Sequence, residues 1–159
     1  MAVMIKNSQK LLKISVKSIK RIAEDLLTFS GLQDRDLSIL FVDNGKMATL
    51  NKRFFQKNHP TNVISFSYMD GLPGEVLGDI IISVERAEEE AQVSGTHFYE
   101  RLFVLIVHGL THIMGYDHER GSKECRRMRY REKKLMDFVV AHEGYKELIS
   151  EHRTTGRAH

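Results

Sequence analysis

Three of the eight histidines fall within eleven residues, and this spacing constrains the chain more than any other feature. His108 and His112 stand four residues apart behind a long apolar run, and His118 follows soon after Gly115. On a helix, side chains at i and i+4 project from one face, so the first two imidazoles can share one ion. Gly115 can adopt the left-handed conformation that ends a helix, and this reversal can bring His118 round as a third ligand. The spacing therefore predicts one zinc ion held by the three histidines, with a fourth position open for a catalytic water.

The residue after the first histidine argues against ordinary peptide hydrolysis. The spacing H-x-x-x-H-x-x-G-x-x-H is that of the metzincin zinc proteases, in which a glutamate follows the first histidine and acts as general base. Gly109 stands in that place here and cannot accept a proton. A divergent zinc peptidase therefore stays an alternative, as does a helix end whose histidines are merely partnered polar residues.

Length and composition indicate one globular domain. A chain of 159 residues with 42% hydrophobic and 28% charged residues can bury a core without help from a metal or a disulfide. We expect residues 1–159 to form this single domain and residues 144–159 to form a loosely ordered tail, because the hydrophobic pattern fades there.

The only cysteine, Cys125, bears on the compartment. A single cysteine excludes an intramolecular disulfide and favours a reducing, cytoplasmic location. An inert thiol is a better interpretation of Cys125 than a fourth metal ligand. We find neither a signal peptide pattern nor an uncharged apolar stretch of the ~20 residues that a membrane helix needs.

The hydrophobic periodicity predicts an α+β fold with a small mixed β-sheet packed with helices. The helix expected at residues 98–114 is capped by Thr96 and apolar nearly all round, so it belongs to the core and carries His108 and His112 on its last turns. Ser122 is expected to cap the helix after it. Strands are expected at 1–5, 37–42, 63–68 and 79–84, and further helices at 15–30, after the turn at 43–45, and at 85–93.

A basic block follows the histidines. The chain carries a net charge of +3, and residues 120–134 contain eight cations against only Glu124 and Glu132. A solvated helix face and a phosphate-binding surface explain this block equally well. The eight cations are Arg120, Lys123, Arg126, Arg127, Arg129, Arg131, Lys133 and Lys134.

Three segments together resemble one known family. Residues 108–118, HGLTHIMGYDH, resemble the signature H-G-x-L-H-L-x-G-Y-D-H of the YbeY family of metal-dependent endoribonucleases. Residues 50–51 and 60–66 are similar to its L-N…P-T-[DN]-V-L-S-F segment, and residues 78–83 resemble its G-D-I-x-I-S strand. With the order of elements, the resemblance extends from about residue 36 to residue 137.

The resemblance implies a zincin-like core and one zinc held by His108, His112 and His118. It also implies hydrolysis of single-stranded RNA, with a part in 16S ribosomal RNA 3′-end maturation and ribosome quality control. RNA and the small ribosomal subunit are then the expected partners, no membrane is expected, and the oligomeric state stays open.

Two positions depart from the family pattern. Thr111 replaces a leucine, and Phe55 stands where the family segment [FY]-R-x-K-[DN]-x-P-T has an arginine expected to hold a phosphate. Lys52, Arg53 or Lys57 could supply the charge from a neighbouring position, or could equally be ordinary exposed residues.

The general base is not identified by the motif. Asp117 is favoured as a residue that orients an imidazole by accepting its second N–H, and Asp79 is another candidate for that role. The phosphodiester chemistry itself would come from a zinc-activated water. A different function class stays open: an RNA-binding ribosome-assembly factor with a structural metal and no catalysis.

Overall fold

A four-stranded mixed sheet forms the middle of the computed structural model, which describes residues 3–56, 61–68, 76–116 and 121–154. The strands are ordered β1-β2-β4-β3. The three strands β1, β2 and β4 are parallel, whereas β3 is an edge strand antiparallel to β4. Their bounds are β1 Val3–Asn7, β2 Asp36–Val42, β3 Val63–Ser67 and β4 Val76–Ser83.

Helices cover both faces of this sheet in the described part of the chain. The α2 helix packs with the smaller apolar cluster on one face, while the larger cluster on the other face includes residues of α1, α4, α5 and α6. This arrangement confirms the predicted α+β class with a small mixed sheet. The helix bounds are α1 Val16–Phe29, α2 Asn44–Phe55, α3 Val84–Ser94, α4 Phe98–Ile113, α5 Ser122–Ala141 and α6 Glu143–Thr154.

The two faces follow from the strand period of two residues. Ile80 and Ile82 of β4 belong to the larger cluster, whereas Ile81 belongs to the smaller one with Met47 of α2. Successive side chains of a strand point to opposite faces, so β4 is apolar on both sides because both sides are covered. From Gly78 onwards, side chains at even positions of β4 therefore face α4, and those at odd positions face away from it; before Gly78 the register shifts, and Leu77 also joins the larger cluster.

The α4 helix is the core helix that the sequence predicts. Leu102, Phe103 and Ile106 are fully buried, and each such side chain contributes about 1.5–3 kcal/mol relative to an exposed one. The predicted cap Thr96 is wrong by one position, because Nδ1 of His97 accepts the backbone N–H of Tyr99 at 3.1 Å.

No helix of the described residues is both long enough and apolar enough to span a bilayer.

The ends of α4 and α5 show what the turn residues do. Gly115 has φ +100°, so the left-handed turn predicted after α4 is confirmed. Ser122 is the first residue of α5, and Gly121 precedes it as the N-cap without a side-chain hydrogen bond. Ser122 is therefore not the cap that the sequence predicts.

The loosely ordered tail predicted from residue 144 is wrong up to residue 154, because α6 occupies this stretch. Tyr145 and Leu148, one turn apart, are buried in the main core, and the Tyr145 ring lies edge-to-face on Phe103 with centroids 5.7 Å apart. Burial raises the pKa of Tyr145 to about 12. Residues 155–159 of the predicted tail lie outside the described residues.

Candidate metal centre

Two of the three predicted ligands lie one turn apart on α4. The Nε2 atoms of His108 and His112 are 3.2 Å from each other, and the two rings are nearly perpendicular at 81°. Two nitrogens bound to one tetrahedral zinc at its usual bond length lie about 3.3 Å apart. The spacing of this pair therefore fits two ligands of a single ion.

A carboxylate on α5 orients the first of these imidazoles. Nδ1 of His108 lies 2.6 Å from Oε2 of Glu132, and both side chains are partly buried. With Nδ1–H donating to the carboxylate, Nε2 keeps its lone pair directed towards His112. The contact thus selects the tautomer that can bind a metal.

Glu132 was not identified as a site residue from the sequence, although its position carries a signal. Met128, Leu135 and Val139 form the buried stripe of α5. Glu132 lies four residues after Met128 and three before Leu135, so it falls on that stripe, where an apolar residue is expected. An acid at such a position requires a partner, and His108 supplies it.

The third histidine lies outside the described residues, as does Asp117. The roles of His118 as a ligand and of Asp117 as an orienting carboxylate therefore stay predictions. Within the described residues, no three histidine, cysteine or acidic side chains are grouped as a metal site. Cys125 is half-buried in α5 and belongs to no such group there.

Asp79, the other orienting carboxylate suggested by the sequence, lies on the opposite face of the sheet from α4. Its Oδ2 accepts a hydrogen bond from Oη of Tyr68 at 2.8 Å. This hydrogen bond is the main reason that the pKa of Tyr68 is raised. Asp79 lines a separate cavity of about 540 Å³ beside α2, so it is not placed to orient His108 or His112.

Gly109 has a structural role on α4. A Cβ atom at this position would lie 3.0 Å from Cγ2 of Ile80, because α4 packs closely on β4 there. A glutamate in this place would enter the apolar core between helix and sheet. The base that the metzincin spacing would place after His108 would therefore require the side chain of Ile80 to shift.

The two histidines open into a cavity of about 410 Å³, which we call the histidine cavity. It lies beside the edge strand β3, between the C-terminal ends of α2 and α4. Among the described residues that line it there is neither a carboxylate nor a lysine or arginine. Those residues are Asn51, Phe55, Thr61, Val63, Ile64, Ser65, His108 and His112.

Phe55, which stands in the place of the family arginine, lines this cavity. Its ring is 47% exposed and stacks on Phe66 with the centroids 6.2 Å apart. Of the neighbouring cations, Lys52 does not line the cavity and Arg53 lies over the ring of Phe54, 5.7 Å from its centroid. Lys57 lies outside the described residues. Neither described cation replaces the missing arginine.

Arg101 approaches His108 from the other side, and sequence reasoning did not select it. Together with Glu132 it lines a neighbouring cavity of about 280 Å³ that also reaches His108. Its Nε donates to Oε1 of Glu90 at 2.8 Å, so much of its charge is compensated.

Four of the eight cations of the basic block share one surface of α5. Lys123, Arg126, Arg127 and Arg131 line a cavity distinct from the histidine cavity. Arg120 lies outside the described residues. This basic surface belongs to α5, the helix that also carries Glu132. A polyanion bound there would therefore contact residues that neighbour Glu132 in the sequence.

Comparison with known proteins agrees with this architecture. A family model described as Endoribonuclease YbeY matches residues 4–140. A protein of that name from Petrotoga mobilis is 38% identical over 154 residues, which cover 96% of this chain and 99% of the relative. One from Syntrophus aciditrophicus is 41% identical over 128 residues, which cover 78% of this chain and 80% of the relative. The solution structure of a Thermotoga maritima protein has a TM-score of 0.65 at 24% identity, with 93% of each chain covered, and thus shares the fold.

Proposed function

Because the chain belongs to the YbeY endoribonuclease family, we propose that it is a zinc-dependent endoribonuclease that hydrolyses phosphodiesters of single-stranded RNA. The observation that carries the metal-dependent part is the His108–His112 pair, with nitrogens 3.2 Å apart and one imidazole oriented by Glu132. An RNA-cleaving activity follows from the family name of the relatives.

The chain's own residues hold the ion and align the phosphate. His108 and His112 would bind zinc, and His118 would be the third ligand by its spacing. Bound zinc supplies a Lewis acid and a water that ionises near neutral pH. Glu132 keeps the His108 ring in the orientation and tautomer that binding requires.

The polar wall of the histidine cavity would receive the RNA backbone. The hydroxyls of Thr61 and Ser65 and the amide of the buried Asn51 lie among its lining residues. Neutral groups of this kind can hydrogen-bond phosphate and ribose oxygens, but they cannot neutralise charge that accumulates during hydrolysis. The described wall of this cavity would therefore supply hydrogen bonds but no positive charge to the phosphate, unlike an arginine at the position of Phe55.

We also propose that the substrate is the 3′ end of 16S ribosomal RNA in the cytoplasm, with a part in ribosome quality control. The family resemblance and the lone Cys125 support this placement. Depletion of the protein should lead to 3′-extended 16S precursors. Unchanged 16S ends after depletion would contradict the ribosomal part while leaving the nuclease activity intact.

A cleavage assay on purified, zinc-loaded protein tests the main proposal. End-labelled single-stranded RNA should give internal cleavage products, a duplex of the same sequence should resist, and a chelator should abolish the products until zinc is restored. His112→Ala should be inactive. Intact single-stranded RNA together with cleaved peptides would show that the divergent peptidase is the correct function.

The second candidate function is an RNA-binding ribosome-assembly factor with a structural metal. The uncharged cavity wall with Phe55 in place of an arginine is the observation that favours it. Binding of single-stranded RNA without turnover at saturating zinc would support this candidate over the nuclease.

A further inference from the structure

A second concave surface lies between the end of α4 and the first half of α5. It encloses about 400 Å³ and is lined by two tyrosines and four cations. We call it the α5 groove, and its volume falls in the ~300–1,000 Å³ range of ligand sites. The lining residues are Tyr116, Lys123, Arg126, Arg127, Tyr130 and Arg131.

The helical period explains why these side chains meet. Lys123, Arg127 and Tyr130 are spaced by four and three residues, so they fall on one face of α5, and Arg131 continues it one turn after Arg127. Tyr116 comes from the other wall, where its N–H donates to the carbonyl of Thr111 in the last turn of α4 at 3.1 Å.

The groove retains uncompensated positive charge within the described part of the chain. Arg127 pairs with Glu124 at 3.3 Å. No described acid forms an ion pair with Lys123, Arg126 or Arg131, and Nε of Arg131 is buried without a described hydrogen-bond partner. A buried N–H of a cation without an acceptor favours an anionic ligand that supplies one.

The aromatic part of the groove is accessible. Tyr130 is 64% exposed, and Nζ of Lys134 lies 5.5 Å from the centroid of its ring. An exposed aromatic ring surrounded by cations is the arrangement with which proteins hold single strands, because bases stack on the ring while phosphates contact the cations. A duplex keeps its bases stacked on each other and does not offer them to such a ring.

We propose that the α5 groove is a second binding site for the RNA, where a single-stranded segment flanking the cleaved bond stacks one base on Tyr130 and places its phosphates on Arg126 and Arg131. This inference rests on the proposed function only for the identity of the polyanion as RNA. Arg131 is adjacent in sequence to Glu132, which contacts His108, so one turn of α5 contributes both to the groove and to the proposed metal centre.

The test separates binding from cleavage by measuring fluorescence anisotropy of a labelled 12-nucleotide single-stranded RNA on the His112→Ala background. Arg126→Ala/Arg131→Ala should weaken binding about tenfold or more and reduce the salt slope by about 1.4, because each phosphate contact contributes about 0.7 for single strands. The matched control is Arg129→Ala/Lys133→Ala, which removes two charges from the same helix outside the groove. It should weaken binding by no more than about twofold. Equal losses in the two double variants would overturn the proposal.

Two substitutions of Tyr130 test whether its ring stacks on a base. Tyr130→Ala should weaken single-strand binding by about 5- to 150-fold, the range of one stacked base. Tyr130→Phe should keep the affinity within about twofold, since the ring remains. An equal affinity of wild type and Tyr130→Ala would show that no base stacks there. If the wild-type protein cleaves RNA and the groove variants bind RNA normally, the proposal for the α5 groove is wrong but the nuclease function stands. If the wild-type protein binds RNA in the groove but never cleaves it, only the proposed nuclease function is wrong.

Discussion

The histidine cavity and the α5 groove differ in chemistry although both adjoin the C-terminal end of α4. The described lining of the cavity combines two imidazoles with neutral and apolar side chains, whereas that of the groove combines four cations with two tyrosines. The described lining of the cavity has the imidazole nitrogens of the proposed metal site but little charge for a polyanion, whereas that of the groove has such charge but no histidine. This contrast fits the proposed division of function, in which the groove captures RNA and the cavity cleaves it.

Removal of one ligand should give the largest effect and should affect only the cavity. For His112→Ala we expect at least ~10³-fold slower RNA cleavage, since the several kcal/mol that a metal supplies correspond to about tenfold per 1.36 kcal/mol. RNA affinity measured by anisotropy should stay within about twofold. A comparable loss of affinity would show that cavity and groove are not separate in function.

Glu132 should have the next largest effect, because it acts on the metal through His108. Glu132→Ala should weaken zinc binding about 10- to 100-fold in a competition titration with a chelator. Glu147→Gln, which removes an acid from the exposed face of α6, is the control and should leave zinc affinity unchanged. Unchanged zinc affinity in Glu132→Ala would mean that its 2.6 Å contact with His108 serves only to join α5 to α4.

Phe55→Arg should reduce the contrast between the two regions by adding a cation to the cavity. We expect kcat/KM for RNA to rise about tenfold, because a guanidinium stabilises developing phosphate charge. The adjacent Phe54→Arg is the control, since Phe54 lines the cavity beside Asp79 and not the histidine cavity. Equal rates in the two variants would exclude a phosphate near position 55.

The smallest effect is expected at the edge of the groove. Glu124→Gln breaks the exposed ion pair with Arg127 and should tighten RNA binding about twofold, in keeping with the ~0.2–1 kcal/mol of such pairs. Glu143→Gln breaks a comparable exposed pair with Lys146 on α6 and should not alter RNA binding. A weaker affinity in Glu124→Gln would indicate that Glu124 positions Arg127 for RNA.

Local patterns in the sequence predict much of the fold and the central pair of the site. The α4 helix follows from its apolar run, and the i, i+4 spacing of His108 and His112 follows from helical geometry alone. The two faces of β3 follow from alternation, with Ile64 and Phe66 in the cluster beside α2 and Ser65 at the histidine cavity. These features depend on neighbours within a few residues, so periodicity is enough to find them.

Local sequence patterns do not predict features that depend on contacts between residues far apart in the chain. Glu132 is 24 residues from His108 in the chain and appeared only as a minor charge in a basic block. The sequence does not predict the α6 helix, because its buried residues Tyr145 and Leu148 are few and are separated by charged ones. Such elements are stabilised by tertiary packing and not by local propensity.

The position of Glu132 on α5 also restricts how this protein can diverge. A helix turns by about 100° per residue, so one inserted or deleted residue between Met128 and Glu132 would rotate the groove cations before it relative to the carboxylate after it. Capture of RNA and support of the metal ligand would then be lost together. A substitution can change either property alone, whereas a change in the length of this helical segment would alter both.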